Sequence, residues 1–342
     1  MAVRMKDIAR DLGISVVTVS KVLRNHPDIG EATRRRVLKR MKELNYHPNM
    51  AAQALTTGQT WTIGLIVPDL LHPFFAALAH SISTVLRETG YSLLIASSDE
   101  EVELEKAAIE HLLARRVDAL LIASAQSSLE SFLRIEEMKT PYILLDRQFD
   151  GLDANFAGVD DHAVGVLATE HLIAQGCQRI AHIRGPGVST AVGRAAGYRD
   201  ALTSAGLALC PEHIVSLGDS GDHRGELGGY NAAQQLLSCD PRPDGIFCFN
   251  DPSALGAMRA ILEAGLRVPE DIAVVGCGNL SYSDFLRVPL TSVDQDNQSI
   301  GRQAAHLALR LVKSKTPLGP SHELVQPRLI LRGSSLRNRI GC

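Results

Sequence analysis

What this 342-residue sequence lacks removes several classes of protein. No apolar run nears the ~18 residues that a membrane-crossing helix needs. The best runs, Thr62 to Val67 and Ala119 to Ala123, have only the length of strands. Cys177, Cys210, Cys239, Cys248, Cys277 and Cys342 are scattered without a CxxC pair. That usage fits free thiols in a reducing compartment better than disulfides or a zinc site. The opening MAVRMKDIAR runs straight into polar amphipathic sequence, with no signal-peptide apolar stretch. Catalytic signatures are missing too: there is no GxSxG elbow, no GxxxxGK[ST] phosphate loop and no HExxH. The 12 histidines show no metal-ligand spacing. Asp160 and Asp161 are adjacent, but chain neighbours point apart, which disfavours a shared proton. The expectation is a cytoplasmic protein with no membrane segment, catalytic residue, metal or cofactor.

Net charge is also small, −3, but it conceals a division. Residues 1–60 hold 11 Lys and Arg against 5 Asp and Glu, a balance of +6. The other 282 residues hold 24 against 33, a balance of −9. A basic head on an acidic body suits a polyanion-binding module joined to a part that must not bind polyanions.

Within the head, Met5, Ile8, Ala9 and Leu12 follow the i, i+3, i+4, i+7 stripe of a short helix. Gly13 supplies a tight turn, and Ser15 is a good N-cap for a second helix over about 16–24. Val19, Val22 and Leu23 form its inner face, while Val16, Val17, Thr18, Ser20 and Lys21 lie at its start and outer side. A third helix spans about 31–44, with Ala32, Val37, Met41 and Leu44 inward and Arg34, Arg35 and Arg36 consecutive. Three short helices with a glycine turn between the first two make a helix-turn-helix, whose second helix fits a DNA major groove.

KDIARDLGISVVTVSKVL followed by TRRRVLKRMKELNYHPN closely resembles the DNA-binding module of the LacI/GalR family of transcriptional regulators. The resemblance implies base reading at Val16, Val17 and Lys21, and phosphate contacts at Ser15, Thr18, Ser20 and Asn25. Lys21 can donate to a guanine edge, and the valines can offer apolar contact to a thymine methyl. Arg34 is a further candidate for phosphate contact. Gly30 stands where the family usually has a serine cap, a change that costs only a few tenths of a kcal/mol.

Pro48 ends the third helix, and Asn49 can cap a short segment, MAAQALTT, that stops at Gly58. Such a segment is shorter than the ~12–15 residues that are marginal for an isolated helix. The resemblance implies that two such hinge helices pair in the minor groove. Leu55 is then the wedge between base steps, with Ala52 beside it. Gln53 replaces the arginine of many relatives.

From Thr62 the chain alternates strand and helix: TIGLIV, a helix near 75–88, SLLIAS, a helix over 101–115, ALLIA and YILLD. A second series follows: helix 162–175, RIAHIR, helix 192–204, HIVSL, helix 228–238, GIFCF, helix 253–264 and IAVVG. Short apolar runs of this kind are buried parallel strands, and their regular alternation with helices is doubly wound α/β structure. Two series imply two lobes with a cleft between them, which matches the family's periplasmic-binding-protein-like (type I) core. The fold class is therefore α/β, a three-helix helix-turn-helix domain plus a two-lobed doubly wound core. The expected limits are 1–46 for the head, 47–60 for the hinge and 61–342 for the core. Lobe 1 takes about 61–160 and 291–320, and lobe 2 about 161–290 and 321–333.

Ligands in such folds sit outside the carboxyl ends of the strands. The strand ends present Leu71, His72, Phe74 and Phe75, then Asp146 and Arg147, then Phe156, Asp160, Thr190, Arg194, Asn250 and Asp251. The resemblance places these positions around an effector pocket, where the charged groups can pair with sugar hydroxyls and an aromatic face can stack on a pyranose or a base. Gly278 departs from the Asp of many sugar-binding relatives, leaving open substitution by Asn279 or Asp284, or an anionic ligand on Arg147 and Arg194. The function implied is a transcriptional regulator, most simply a repressor, that binds a pseudo-palindromic double-stranded operator. Its partners would be a carbohydrate-like small-molecule effector and a second subunit. It would be a homodimer, with a tetramer left open, although no heptad helix is evident in SLRNRIGC. Co-repression by the ligand is the alternative, and a solute-binding protein without regulatory role a more distant one.

Overall fold

The computed structural model describes residues 3–23, 26–46, 54, 57–126, 128–149, 151–218 and 225–337. The chain falls into two compact units, Met1–Thr60 and Trp61–Cys342.

In the first unit, α1 (Met5–Leu12), α2 (Val16–Leu23) and α3 (Glu31–Glu43) surround one small core. The Arg4 amide donates to the Asp7 carboxylate at 3.0 Å, which opens α1. Gly13, at φ 65, closes it in the left-handed region that a side chain would disfavour, and the Ile14 amide returns to the Ala9 carbonyl at 3.0 Å. Ser15 Oγ then accepts from the Thr18 amide at 3.0 Å and starts α2. Ile8, Ala9, Val19, Val22, Val37 and Met41 are buried together. Arg40 donates to Asp11 at 2.6 Å and Arg36 to the Leu12 carbonyl at 3.2 Å, so α3 is tied to the end of α1.

The second unit contains two six-stranded sheets of similar topology. The first comprises β1 (Thr62–Val67), β2 (Ser92–Ser97), β3 (Ala119–Ile122), β4 (Tyr142–Leu145), β5 (Asn155–Val159) and β11 (His322–Val325), in the order β11-β5-β4-β3-β1-β2. The second comprises β6 (Ile180–Arg184), β7 (Ile214–Ser216), β8 (Gly245–Cys248), β9 (Ala273–Cys277), β10 (Thr291–Asp294) and β12 (Arg328–Ile330), in the order β12-β10-β9-β8-β6-β7. All pairings are parallel except β10 with β12. β3, β4, β8 and β9 are buried throughout, as continuous apolar runs between helical layers require. The connecting helices are α4 (Pro73–Glu88), α5 (Val102–Ala114), α6 (Glu130–Glu137), α7 (Asp161–Ala174), α8 (Ser189–Ser204), α9 (Glu226–Leu237), α10 (Asp251–Glu263) and α11 (Asn297–Lys313). In each sheet the chain steps to one edge (β1 to β2, β6 to β7) and then reverses to the other side. That reversal opens a crevice at the carboxyl ends of the strands.

Two lobe limits differ from those expected. β10 pairs with β9 and so stays in lobe 2, and the chain crosses only after Asp294. α11 then packs on lobe 1, where Ser81 Oγ donates to the Gln298 carbonyl at 2.7 Å. β11 pairs with β5 in lobe 1, so the return falls between Val325 and Arg328 and not at 321. HELV and RLI are short edge strands with exposed positions, which carry little apolar signal. α6 and β5 were not named from sequence either. The first has eight residues, and the second is interrupted by Gly158, which packs on the Phe156 ring.

Lobe 2 buries an imidazole in its core. His182 stacks on Phe247 with ring centroids 4.7 Å apart, and its Nδ1 lies 3.0 Å from the Phe247 carbonyl as donor. Burial lowers its pKa to about 4, so it is neutral in the folded protein. Between about pH 6.5 and 4 the unfolded chain takes up a proton that the fold refuses, and stability declines as pH falls through that window. His182→Phe is expected to flatten this decline by up to ~3 kcal/mol, measured as the pH dependence of urea unfolding. An unchanged slope would show that another group sets it.

Candidate functional site

On the head, α2 turns Val19 and Val22 into the core and leaves Val16 and Val17 exposed, at 42% and 62%. Lys21 lies 3.2 Å from the Asp28 carboxylate, which is also 3.2 Å from His26 Nδ1. The Ser15 hydroxyl caps the helix and lies 2.9 Å from that of Thr18. Ser20 also lies on α2. Arg34 donates to the His26 carbonyl at 3.1 Å and is largely covered, so it ties down the segment preceding α3. Asn25, Asn49, Ala52, Gln53 and Leu55 lie outside the described residues.

In the core unit, a cavity of about 550 Å³ lies where the strand ends of both sheets meet. α4 opens onto it with Phe74 and Phe75, whose rings meet edge to face at 5.1 Å. His72 caps that helix, its Nδ1 accepting from the Phe74 amide at 3.3 Å, and its Nε2 lies 3.5 Å from Asn250 Nδ2 of the other lobe. Burial lowers the His72 pKa to about 4, so this ring is neutral near pH 7.

Two buried arginines dominate the walls. Arg147 makes a two-pronged contact with Glu100 at 2.7 and 2.9 Å and donates to the Ser124 carbonyl at 3.1 Å. Arg194 donates from Nε to Asp161 at 2.8 Å and from Nη1 to the Phe249 carbonyl at 2.7 Å, with its guanidinium 4.7 Å from the Phe249 ring centre. Its helix can come this close because α7 and α8 touch at their glycines. A Cβ at Gly165 would sit 2.1 Å from the Arg194 carbonyl, and one at Gly197 2.1 Å from that of His162. Asp146, at φ 61, is buried between the arginines. Burial pushes its carboxyl upward, and the two positive charges oppose that. Three buried polar atoms on these walls find no hydrogen-bond partner among the described residues: Asp146 Oδ1, Arg147 Nε and Gln295 Nε2.

The strand-end residues divide accordingly. Phe74, Phe75, Asp146, Arg147, Thr190, Arg194 and Asn250 line the cavity, as does His72. Leu71, Phe156, Asp160 and Asp251 do not. Leu71 is 73% exposed, and Phe156 faces the helical layer beside Phe132 and Ile122. Asp160 caps α7, accepting from the Ala163 amide at 3.0 Å. Asp251 is fully buried and takes Ser292 Oγ at 2.6 Å, the Leu280 amide at 2.8 Å and Ser283 Oγ at 3.3 Å. That carboxylate anchors the segment after β9. Asn279 and Asp284, considered as replacements for the missing Asp, are both held by Arg332. Gly278 does line the cavity, but at φ 127, which strains any L side chain. Glu100, Phe249, Cys277 and Gln295 are cavity residues that the sequence reading missed, although each follows or ends a strand. Burial pushes the Cys277 thiol up to about 12, which keeps it protonated. No cluster able to hold a metal ion occurs among the described residues, and no helix there is long and apolar enough to cross a membrane.

Comparison with known proteins bears on both units. Residues 60–328 match the family described as periplasmic binding proteins and sugar binding domain of LacI family, and residues 4–49 match bacterial regulatory proteins, lacI family. The chain is 34% identical over 338 residues to the HTH-type transcriptional repressor PurR of Histophilus somni (strain 129Pt), covering 96% of this chain and 98% of that one. It is also 34% identical over 331 residues to the HTH-type transcriptional regulator GalR of Escherichia coli (strain K12), covering 96% and 95%. Among solved structures, the Lac repressor dimer bound to operator and the anti-inducer ONPF superposes with a TM-score of 0.85 at 31% identity, over 98% of this chain and 100% of that one. These relatives are transcriptional regulators and not enzymes.

The Arg194–Asp161 contact yields a stability test. Arg194→Ala leaves a buried carboxylate without its cation and is expected to cost about 3–5 kcal/mol in urea unfolding. Adding Asp161→Asn should recover part of the loss. Full additivity of the two substitutions would mean that the pair is not energetically coupled.

Proposed function

The chain belongs to the LacI family of bacterial regulatory proteins and is a DNA-binding transcriptional repressor with a ligand-binding core; from that premise we propose that its effector is an uncharged, polyhydroxylated molecule, a sugar or sugar derivative, held in the cavity between the lobes. The observation that carries this reading is the set of unpartnered buried atoms. Asp146 Oδ1 is an acceptor, while Arg147 Nε and Gln295 Nε2 are donors, all on one cavity. A hydroxyl group both donates and accepts, so a ligand with several hydroxyls satisfies all three. Phe74, Phe75 and Phe249 offer apolar faces for the carbon skeleton. Thr190, Arg194 and Asn250 supply polar groups from lobe 2, so one ligand contacts both lobes.

On the head, Val16 and Val17 are assigned to apolar contact with bases and Lys21 to a guanine edge, which requires Lys21 to exchange Asp28 for DNA. Ser15, Thr18, Ser20 and Asn25 are assigned to phosphate. Arg34 acts on phosphate indirectly, by fixing the loop before α3. The hinge assignment (Asn49, Ala52, the Leu55 wedge) rests on sequence alone. A homodimer on a pseudo-palindromic operator follows from the two-fold logic of helix-turn-helix half-sites. Exposed Leu94 and Ile95 on the edge strand β2, with Phe285 at 87% exposure, offer apolar surface for the second subunit. Such a regulator works in the cytoplasm, where the DNA is. Ligand binding would change the lobe arrangement and with it operator affinity. A coupling of ~1–3 kcal/mol gives about 5–150-fold.

The effector reading is tested by thermal shift of the full-length protein against sugars, sugar acids, phosphosugars and nucleobases, since specific binding raises apparent stability. At least one uncharged sugar should raise the melting temperature and change operator affinity, and the direction of that change separates induction from co-repression. Stabilisation by nucleobases alone would sink the sugar assignment. For the head, selection from random duplexes should return a pseudo-palindrome. Lys21→Ala should relax preference at one base pair per half-site, and an equal loss on specific and random DNA would refute base reading by Lys21.

A further inference from the structure

Arg147 and Arg194 could have made the cavity an anion site, and what stands against each of them decides otherwise. Arg194 is matched by Asp161 at 2.8 Å, and Arg147 is matched by Glu100 through two contacts. Asp146 lies buried between the two cations, and Asp69 also lines the cavity, so carboxylates outnumber guanidinium groups there. Behind Arg147 is another buried carboxylate. Glu105 accepts from Ser124 Oγ at 2.5 Å and from the Ala125 amide at 2.7 Å, fixing the segment whose Ser124 carbonyl also receives Arg147.

The backbone that delivers Glu100 is unusual. Asp99 and Glu100 are consecutive non-glycine residues in the left-handed region, at φ 50 and 59. L side chains adopt that conformation reluctantly, and two in succession persist only where the surroundings over-determine them. Here the turn is held by the Glu100 amide on the Pro68 carbonyl at 3.2 Å, the Glu101 amide on that of Ser98 at 2.8 Å, and Ser97 Oγ on the Asp99 carboxylate at 2.6 Å. The turn carries the Glu100 carboxylate from the end of an edge strand to a guanidinium three strands away in the same sheet.

We infer that Glu100 is the specificity-determining counter-ion of this cavity: by neutralising Arg147 it makes the site accept uncharged hydroxylated ligands and refuse phosphorylated or carboxylated ones of the same skeleton. This rests on reading the cavity as the effector site. With Glu100 in place, the outer fork of Arg147 is occupied and its charge is matched, which leaves Nε and the second Nη2 hydrogen to hydrogen-bond a ligand. An incoming phosphate or carboxylate would meet Glu100 and Asp146 as like charges, a juxtaposition that excludes wrong partners.

The test uses the full-length protein and matched probes, D-glucose with glucose 6-phosphate, D-galactose with galacturonate, and inorganic phosphate, at constant ionic strength. Binding is read by calorimetry and by melting temperature in the wild type, Glu100→Gln and Glu100→Asn. Asn tolerates the left-handed backbone well, so at least one uncharged variant keeps the turn. The expected result is no phosphate-specific binding by the wild type and at least a ~10-fold tighter phosphate and phosphosugar affinity in both variants. Adding Arg147→Gln should cancel the gain. Wild-type protein that binds phosphate as tightly as the variants overturns the inference, as do folded variants that gain no anion affinity. If no uncharged sugar binds the wild type, the effector reading fails by itself, while the phosphate arm still decides the role of Glu100.

Discussion

A buried guanidinium is tolerable only with a carboxylate against it, because taking either charge out of water alone costs several kcal/mol. This constraint organises the ligand-binding core. Arg147 and Arg194 are both almost fully covered, and their partners come from different elements: Glu100 from the turn after β2, Asp161 from the first turn of α7. Meeting the requirement in each lobe fixes where those elements end. It explains why α7 and α8 cross at glycines close enough for backbone contact, and why the turn after β2 accepts two left-handed residues. What is left after the charges are matched is a cavity with hydrogen-bonding capacity and no spare cation, which is chemistry for hydroxyl groups.

The same rule operates in the head with the opposite sign of surplus. Of its basic side chains, Arg36 and Arg40 hold the end of α1, Arg34 holds the segment before α3, and Lys21 rests against Asp28. The charge surplus of the first 60 residues is therefore not all available to DNA in the free head. Exposed Val16 and Val17 beside Lys21 are harder to explain as surface chemistry, since apolar side chains gain nothing from water. They make sense on a helix whose outer face meets base edges.

Much of the fold was legible because its signals are local. The helical stripe of Met5, Ile8, Ala9 and Leu12, and runs such as TIGLIV and ALLI, can be read from residues next to one another. Several of the elements missed owe their burial to distant partners, although α11, a long helix, was not named either. α6 is short, and β11 and β12 are edge strands that owe their places to β5 and β10 across the crossovers. At the site, the strand-end rule locates a residue along the chain but not the direction its side chain takes. It found Asp146 and Arg194 and, by the same logic, Phe156 and Asp251, which face the helical layer and the segment after β9. Glu100 was missed because only a left-handed turn brings it inward. Likewise, Gly278 reads in sequence as a lost carboxylate, whereas its φ of 127 is a reason for glycine that no substitution pattern in a single sequence reveals.

The crossovers also supply the geometry through which a ligand could act. Gln295 sits at the passage from β10 to α11, lines the cavity and carries an unpartnered amide nitrogen. Asp296 beside it, at φ 50, caps α11 through Ser299 at 3.1 Å, so the passage enters lobe 1 at a defined angle. Asp160 and Asp161 occupy the first crossover in the same manner: one caps α7 and the other binds Arg194. A ligand hydroxyl that engages Gln295 and lies against Arg194 therefore contacts one chain passage between the lobes directly and a second through Arg194 and Asp161. Only contacts that differ between two arrangements of the lobes can shift their equilibrium, and the backbone at such passages is what absorbs the φ/ψ change of a hinge rotation. Coupling from the cavity then needs no long pathway through either packed sheet, because the hinge of the core is part of the wall of its binding site.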